Sequence, residues 1–140
     1  MPKIKKKKVI KIGTLKKAIQ TEFNHWMASG KPCAKCGNTY GMTQCSHVHS
    51  IGAYPNLRYD PMNVLPLDAR CHKFWWHDEP GDAWEWFKQK YPGRYAYLEK
   101  AKLKYVGWDI DKLLEVREKI KSKDIKGLII APELLTLDKN

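Results

Sequence analysis

Acidic residues are scarce in this 140-residue chain. Its 15 Asp and Glu face 26 Lys and Arg, giving a formal net charge of +11. The scarcity is uneven. No acidic residue precedes Glu22, whereas Lys3, Lys5, Lys6, Lys7, Lys8, Lys11, Lys16 and Lys17 all do. Such a basic arm suits a polyphosphate backbone. It has few apolar anchors, which disfavours an anionic membrane surface as its partner. Long apolar runs are lacking too, so no segment is expected to span a bilayer. The basic start has no apolar signal-peptide core, and a cytoplasmic location is the expectation. Internal repeats are absent, and the lysine run is the one low-complexity stretch. Cysteines number four. They could make two disulfides, but in a cytoplasmic chain Cys-x-x-Cys near histidines points to metal.

A hydrophobic fraction of 43% argues against global disorder. The length suits one domain with a modest core that a metal staple would help to close. Residues 1–13 read as the arm, with a short strand compatible with "KVIKI". Leu15, Ala18, Ile19, Phe23, Trp26 and Met27 recur at helical spacing, and Gly30 can end that helix. Residues 31–78 then hold every cysteine and every histidine except His25. The reading there is a knuckle at 33–37, a strand over Met42–Val48, a second over Asn63–Leu67, and a helix from Ala69. Pro80 and Gly81 interrupt that helix. Three further helical stretches follow, "DAWEWFKQKY", "GRYAYLEKAKLKY" and "DIDKLLEVREKIK", and the last residues look like a tail.

Two thiolates in "CAKCG", Cys33 and Cys36, can reach one tetrahedral zinc, and Gly37 eases the turn. Cys71 is the third candidate ligand. For the fourth, spacing favours Asp68, three residues before Cys71, and thiolate affinity favours Cys45. Cys45 is taken as the fourth ligand, with Asp68 as the alternative. His47, His49, His72 and His77 cluster nearby in sequence. His72 and His77 are five apart, about 500° of α-helical rotation, so an ideal helix aligns them only roughly. They could share a metal if the helix were irregular near Trp75 and Trp76. The tryptophans themselves, with Trp84, Trp86 and Phe87, suit a small core better than base stacking. Arg58 and Lys73 could touch phosphate or be solvated surface charges. Asp60 suits a turn cap before Pro61.

The stretch "CSHVHSIGAYPNLRYDPMNVLPLDARCHKFWWHD" resembles the His-Asn-His (HNH) endonucleases, whose ββα-metal motif packs a hairpin on a helix around one divalent ion. With the knuckle and "WFKQKYPG", it is also similar to phage recombination endonucleases of the NinG or Rap type. The resemblance spans about residues 33–98. It implies an α+β fold, with a small zinc-stapled ββα-metal core and flanking helices. The expected organisation is a basic arm at 1–13, a nuclease domain with its zinc knuckle at 14–108, and a C-terminal helix and tail at 109–140.

The implied function is metal-dependent hydrolysis of DNA phosphodiesters, with branched recombination intermediates as the implied substrate. His47 is the implied general base. Asn63 is the implied hairpin asparagine, orienting His47. His72, with His77, is the implied holder of Mg²⁺, Mn²⁺ or another divalent ion, beside a structural Zn²⁺. Lys5, Lys6, Lys7, Lys8, Arg58 and Lys73 are the candidate DNA contacts. Two departures from the family pattern stand out. Ser46 occupies the place before the base where a metal-ligating Asp or His is common, so His77 or His49 would have to compensate. Asp68 stands where a second Cys-x-x-Cys would put a thiolate. The alternative reading is a zinc-containing module that binds nucleic acid without cutting it.

Overall fold

In the computed structural model, residues 9–135 are described. The first helix, α1 (Ile12–Ala28), begins three residues before the apolar pattern does. It buries Leu15, Ile19, Phe23 and Met27 at four-residue spacing, and Gly30 at φ +72° turns the chain away. Strand β1 (Thr43–His47) and strand β2 (Val64–Asp68) form an antiparallel pair, with Thr43 opposite Asp68 and His47 opposite Val64. Both strands fall within a residue of their expected places. The long connection between them carries 3₁₀ turns at Pro55–Leu57 and Pro61–Asn63. Asp60 caps the second turn, its Oδ1 accepting from Met62 N at 2.9 Å.

β2 runs straight into a helix. Its first turn, α2 (Ala69–Cys71), continues as a π-helix over His72–His77. Pro80 opens α3 (Pro80–Lys90) at a position where its missing N–H leaves no bond unmade. Then come α4 (Pro92–Ala101), α5 (Ile110–Lys121) and the short α6 (Ile125–Leu128). The fold is therefore α+β, mostly helix around a two-stranded hairpin. Among the described residues, no helix is long and apolar enough to cross a membrane.

Two apolar clusters hold it together. One packs Leu57, Leu65, Leu67, Trp75, Trp76, Phe87, Tyr97 and Leu98 around α3 and α4. The other joins Leu15, Ile19 and Phe23 of α1 to Leu113, Val116 and Ile120 of α5, with Val64 of the hairpin between them. The tryptophans of the site helix are thus core, as the composition suggested. The described part of the C-terminal segment, to residue 135, is packed rather than appended. Leu128 and Ala131 are buried, and Ile130 N donates to Asp60 Oδ2 at 3.3 Å. Tyr97 donates its hydroxyl to the same oxygen at 2.5 Å. This buried carboxylate ties the 3₁₀ turn before β2 to α4 and to the C-terminal strap.

Candidate functional site

The knuckle is built by backbone bonds. Gly37 N donates to Cys33 O at 2.9 Å, and Cys33 N to Asn38 O at 3.1 Å. Gly37 takes φ +74°, a conformation that costs glycine little. Ala34 N donates to Pro66 O at 2.8 Å and so docks the loop on β2. This brings Cys33 and Cys36 beside Asp68 at the end of β2 and Cys71 in α2. The four ligand atoms all lie within 4.8 Å of one another, and the group could hold a metal ion.

Asp68 has two tasks there. Its Oδ1 accepts from Cys71 N at 2.7 Å and caps the helix, while Oδ2 accepts from Cys36 Sγ at 3.0 Å. The Cys71 N–H first, and the Cys36 thiol second, hold the carboxyl down to about 2. The same carboxylate raises the Cys36 thiol. Burial and then the neighbouring thiols raise Cys71. At Cys33 burial is the largest influence and acts upward, but backbone hydrogen bonds at Cys36, Asp68 and Lys35 together leave it below the ordinary value. A divalent cation would reverse the upward shifts, because it favours thiolates.

Cys45, expected as the fourth ligand, is not in this group. It stands opposite Pro66, two positions along β1 from the Thr43–Asp68 pair, and packs against the α1–α5 cluster. Burial there pushes its thiol up to about 12. Asp68, the alternative, converges with the three thiols. Strand register decides this, because Thr43 pairs with Asp68 and places that carboxylate, not Cys45, beside the thiols.

The histidines divide into two kinds. A cavity of about 480 Å³ is lined by His47 and Ser46 from β1, by Ser50 and Ile51, and by His72, Trp76 and His77 from the helix. The His72 and His77 rings lie 4.6 Å apart between centroids, tilted by 40°. The π-turn explains it, since an i→i+5 repeat brings residues five apart onto one side. His72 Nδ1 stands 2.7 Å from Gln44 Oε1. A carbonyl oxygen can only accept, so Nδ1 carries the proton and Nε2 keeps its lone pair. Burial first, and the His77 ring second, lower the His72 pKa. His49, by contrast, is core. Its ring packs against Tyr54 and Trp84 at 5.1 and 5.0 Å, and its Nε2 lies 3.3 Å from Glu99 Oε1.

His47 is held at the end of β1. Burial, then the Arg58 charge, then His72, lower it to about 4. It is therefore neutral at pH 7, as a base must be, but weaker than an imidazole near its natural pKa. Its Nε2 lies 3.4 Å from Gln20 Nε2 of α1. Gln20 is itself clamped, accepting from Arg58 Nε at 2.9 Å and donating to Arg58 O at 3.1 Å and Asn24 Oδ1 at 2.8 Å. Arg58 is thus a buttress beside His47 rather than a free surface charge. Gln20 was not singled out by the sequence; a polar residue next to Ile19 on the buried face of α1 was the available signal.

Asn63, the last residue of the 3₁₀ turn before β2, is fully buried. Its Oδ1 accepts from His49 N at 2.8 Å and its Nδ2 donates to His49 O at 3.0 Å. Its own carbonyl accepts from Val48 N at 2.8 Å. The asparagine therefore clamps the chain just after His47, acting on the His49 backbone rather than on His47 directly. Ser46, 1% exposed, has a hydroxyl with no hydrogen-bond partner. Among the described residues, no group of three or more potential ligands other than the Cys33 cluster draws together within the same distance. Lys73 is exposed on the π-helix, and Lys5, Lys6, Lys7 and Lys8 lie outside the described residues. No family model, curated protein or solved structure matches the chain.

Proposed function

We propose that the chain is a metal-dependent DNA endonuclease of the HNH class, with its reaction centre in the cavity between β1 and the π-helix. The observation that carries this reading is the meeting of His47, from the hairpin, with the aligned pair His72 and His77, from the helix, around one cavity. The resemblance to HNH enzymes in sequence and the antiparallel pair running directly into a helix support it from separate directions.

Phosphodiester hydrolysis needs an attacking water, a base for its proton, and positive charge at the phosphate. His47 is the base, accepting the water's proton as the new P–O bond forms and the old one breaks. Its neutral state at pH 7 leaves one ring nitrogen unprotonated to take that proton. The Gln20–Arg58 clamp holds it in place, and the Asn63 clamp fixes the backbone behind it. His72 and His77 would hold a divalent ion such as Mg²⁺ or Mn²⁺, which would supply charge to the phosphate and the departing oxygen. The bond from His72 Nδ1 to Gln44 fits that role, because it fixes the tautomer that presents Nε2 as a ligand. Zn²⁺ is the ion proposed for Cys33, Cys36, Cys71 and Asp68, as a staple joining the knuckle to the hairpin and helix. The implied substrate is DNA with branches, approached through the basic arm and Lys73.

One observation favours the second reading, a non-catalytic zinc module that binds nucleic acid. Only two helix histidines are aligned as ligands for the reactive ion, and the residue before His47 is a serine. Plasmid and four-way-junction DNA incubated with Mg²⁺ or Mn²⁺ separate the two. Metal-dependent cutting that disappears in His47→Ala, with binding retained, is the expected result. Binding without cutting under every ion would establish the second reading.

A further inference from the structure

The π-helix has an outer face that the proposed chemistry does not use. Phe74 lies on it with 59% of its surface exposed. Among the described residues, it alone of the exposed large hydrophobic side chains stands on the helix that carries His72 and His77. It lies in the middle of that helix, not at a fraying end. Nothing in either apolar cluster covers it. Its sequence neighbours are cationic. Arg70 lies one turn before it, and Lys73 Nζ lies 5.4 Å from its ring centroid. Neither cation takes part in an ion pair among the described residues, whereas Lys102, Lys104, Arg117, Lys119 and Lys121 do. The acidic residues that follow, Asp78 and Glu79, come after the helix has ended.

An exposed aromatic ring beside unpaired cations matches a flat, anionic partner. A nucleobase with its phosphate has both properties, and base–aromatic stacking tolerates any sequence. A base inside a continuous duplex is already stacked on both faces and offers no face to Phe74. We infer that Phe74 is a stacking platform for an unpaired or unstacked nucleobase of a bound nucleic acid, with Arg70 and Lys73 on the flanking phosphates. The stacking does not rest on the nuclease reading. The consequence is selectivity by shape. Junctions, flaps and single strands supply such a base, and uninterrupted duplex does so only after kinking.

The test uses the full chain and DNA carrying 2-aminopurine at an unpaired position beside a branch, with Ca²⁺ in place of Mg²⁺ to hold back cutting. Wild-type protein should quench the fluorophore on binding. Phe74→Ala should lose most of the quench and bind branched and single-stranded DNA roughly five- to a hundredfold more weakly. Its affinity for continuous duplex should change much less. Phe74→Trp should restore both signals, since it keeps the stacking plane. The fold should be unmoved in both variants because the side chain is exposed, and circular dichroism checks this. Wild-type quench and affinity in Phe74→Ala would overturn the inference while leaving the nuclease reading intact. Quench without cutting under Mg²⁺ or Mn²⁺ would support stacking and remove the nuclease. Failure of the wild-type chain to bind any of these DNAs would overturn both.

Discussion

His72 and His77 face each other at 4.6 Å between ring centroids because the helix joining them is wound as a π-helix. An α-helix would have turned them apart. The cost of the wider turn is met by Trp75 and Trp76, which this winding places in the core while both histidines line the cavity. A π-turn is rare, and it is found disproportionately where function requires it.

The pair should therefore act as a unit toward a divalent ion. His72→Ala and His77→Ala should each raise the Mn²⁺ concentration for half-maximal cutting, by about tenfold or more. Gln44→Ala should do the same more weakly, by freeing the His72 tautomer. A metal titration of activity, paired with calorimetry of Mn²⁺ binding, checks this. An unchanged midpoint in His77→Ala would mean that the ring only packs beside its neighbours.

His47 makes a prediction about pH. Its folded pKa of about 4 lies below the unfolded histidine value of about 6.5. The neutral base is thus present across the neutral range, and kcat/KM should stay flat down to about pH 5 and fall below it. A bound phosphate would stabilise the imidazolium, so the acid limb of kcat should lie at higher pH than that of kcat/KM. The same shift bears on stability. The unfolded chain takes up this proton first, so the contribution of His47 is complete above about pH 6.5 and is lost as pH falls towards 4. Denaturation midpoints of wild type and His47→Gln should therefore converge over that window. An acid limb of kcat/KM near pH 6.5 would contradict the burial that lowers His47.

The knuckle separates Asp68 from Cys45. Cys33→Ser and Asp68→Ala should release bound zinc and lower thermal stability, because the ligands close the fold. Cys45→Ser should keep full zinc content. Metal analysis of the purified variants distinguishes them. Tryptophan fluorescence offers a second signal, since Lys35 of the knuckle lies 4.7 Å from the Trp75 ring and 5.3 Å from Trp86. Chelation should disturb that emission in wild type. Zinc loss in Cys45→Ser with retention in Asp68→Ala would reverse the assignment.

Asn63→Ala should destabilise the chain strongly. It strands the His49 N–H and C=O in a buried place, at about 1–3 kcal/mol for each unsatisfied group. Urea denaturation measures the loss. Asn63→Asp should restore only the bond from His49 N, because a carboxylate cannot donate to His49 O. A midpoint within error of wild type in Asn63→Ala would show that water replaces the clamp.

Much of this architecture was legible in the residues. The periodic apolar positions of α1, the strands bracketing the Gly- and Pro-rich connection, the knuckle glycine and the tryptophan core all follow from local pattern. These signals act within a few residues, through backbone sterics and burial periodicity. What tertiary structure alone decided was pairing across distance. The sequence favoured Cys45 over Asp68 as the fourth ligand; the strand register, Thr43 opposite Asp68 and Cys45 opposite Pro66, brought Asp68 to the thiols instead. Five-residue spacing argued weakly for a shared ion; the π-winding aligned the rings, because burying Trp75 and Trp76 fixed the phase of that helix. His49 stood in the sequence as a possible compensating ligand; packing against Tyr54, Trp84 and Glu99 drew it into the core, and Gln20 from a helix 27 positions away came to rest beside His47. Local physics chose the elements, and the geometry of their packing chose which side chains share a site.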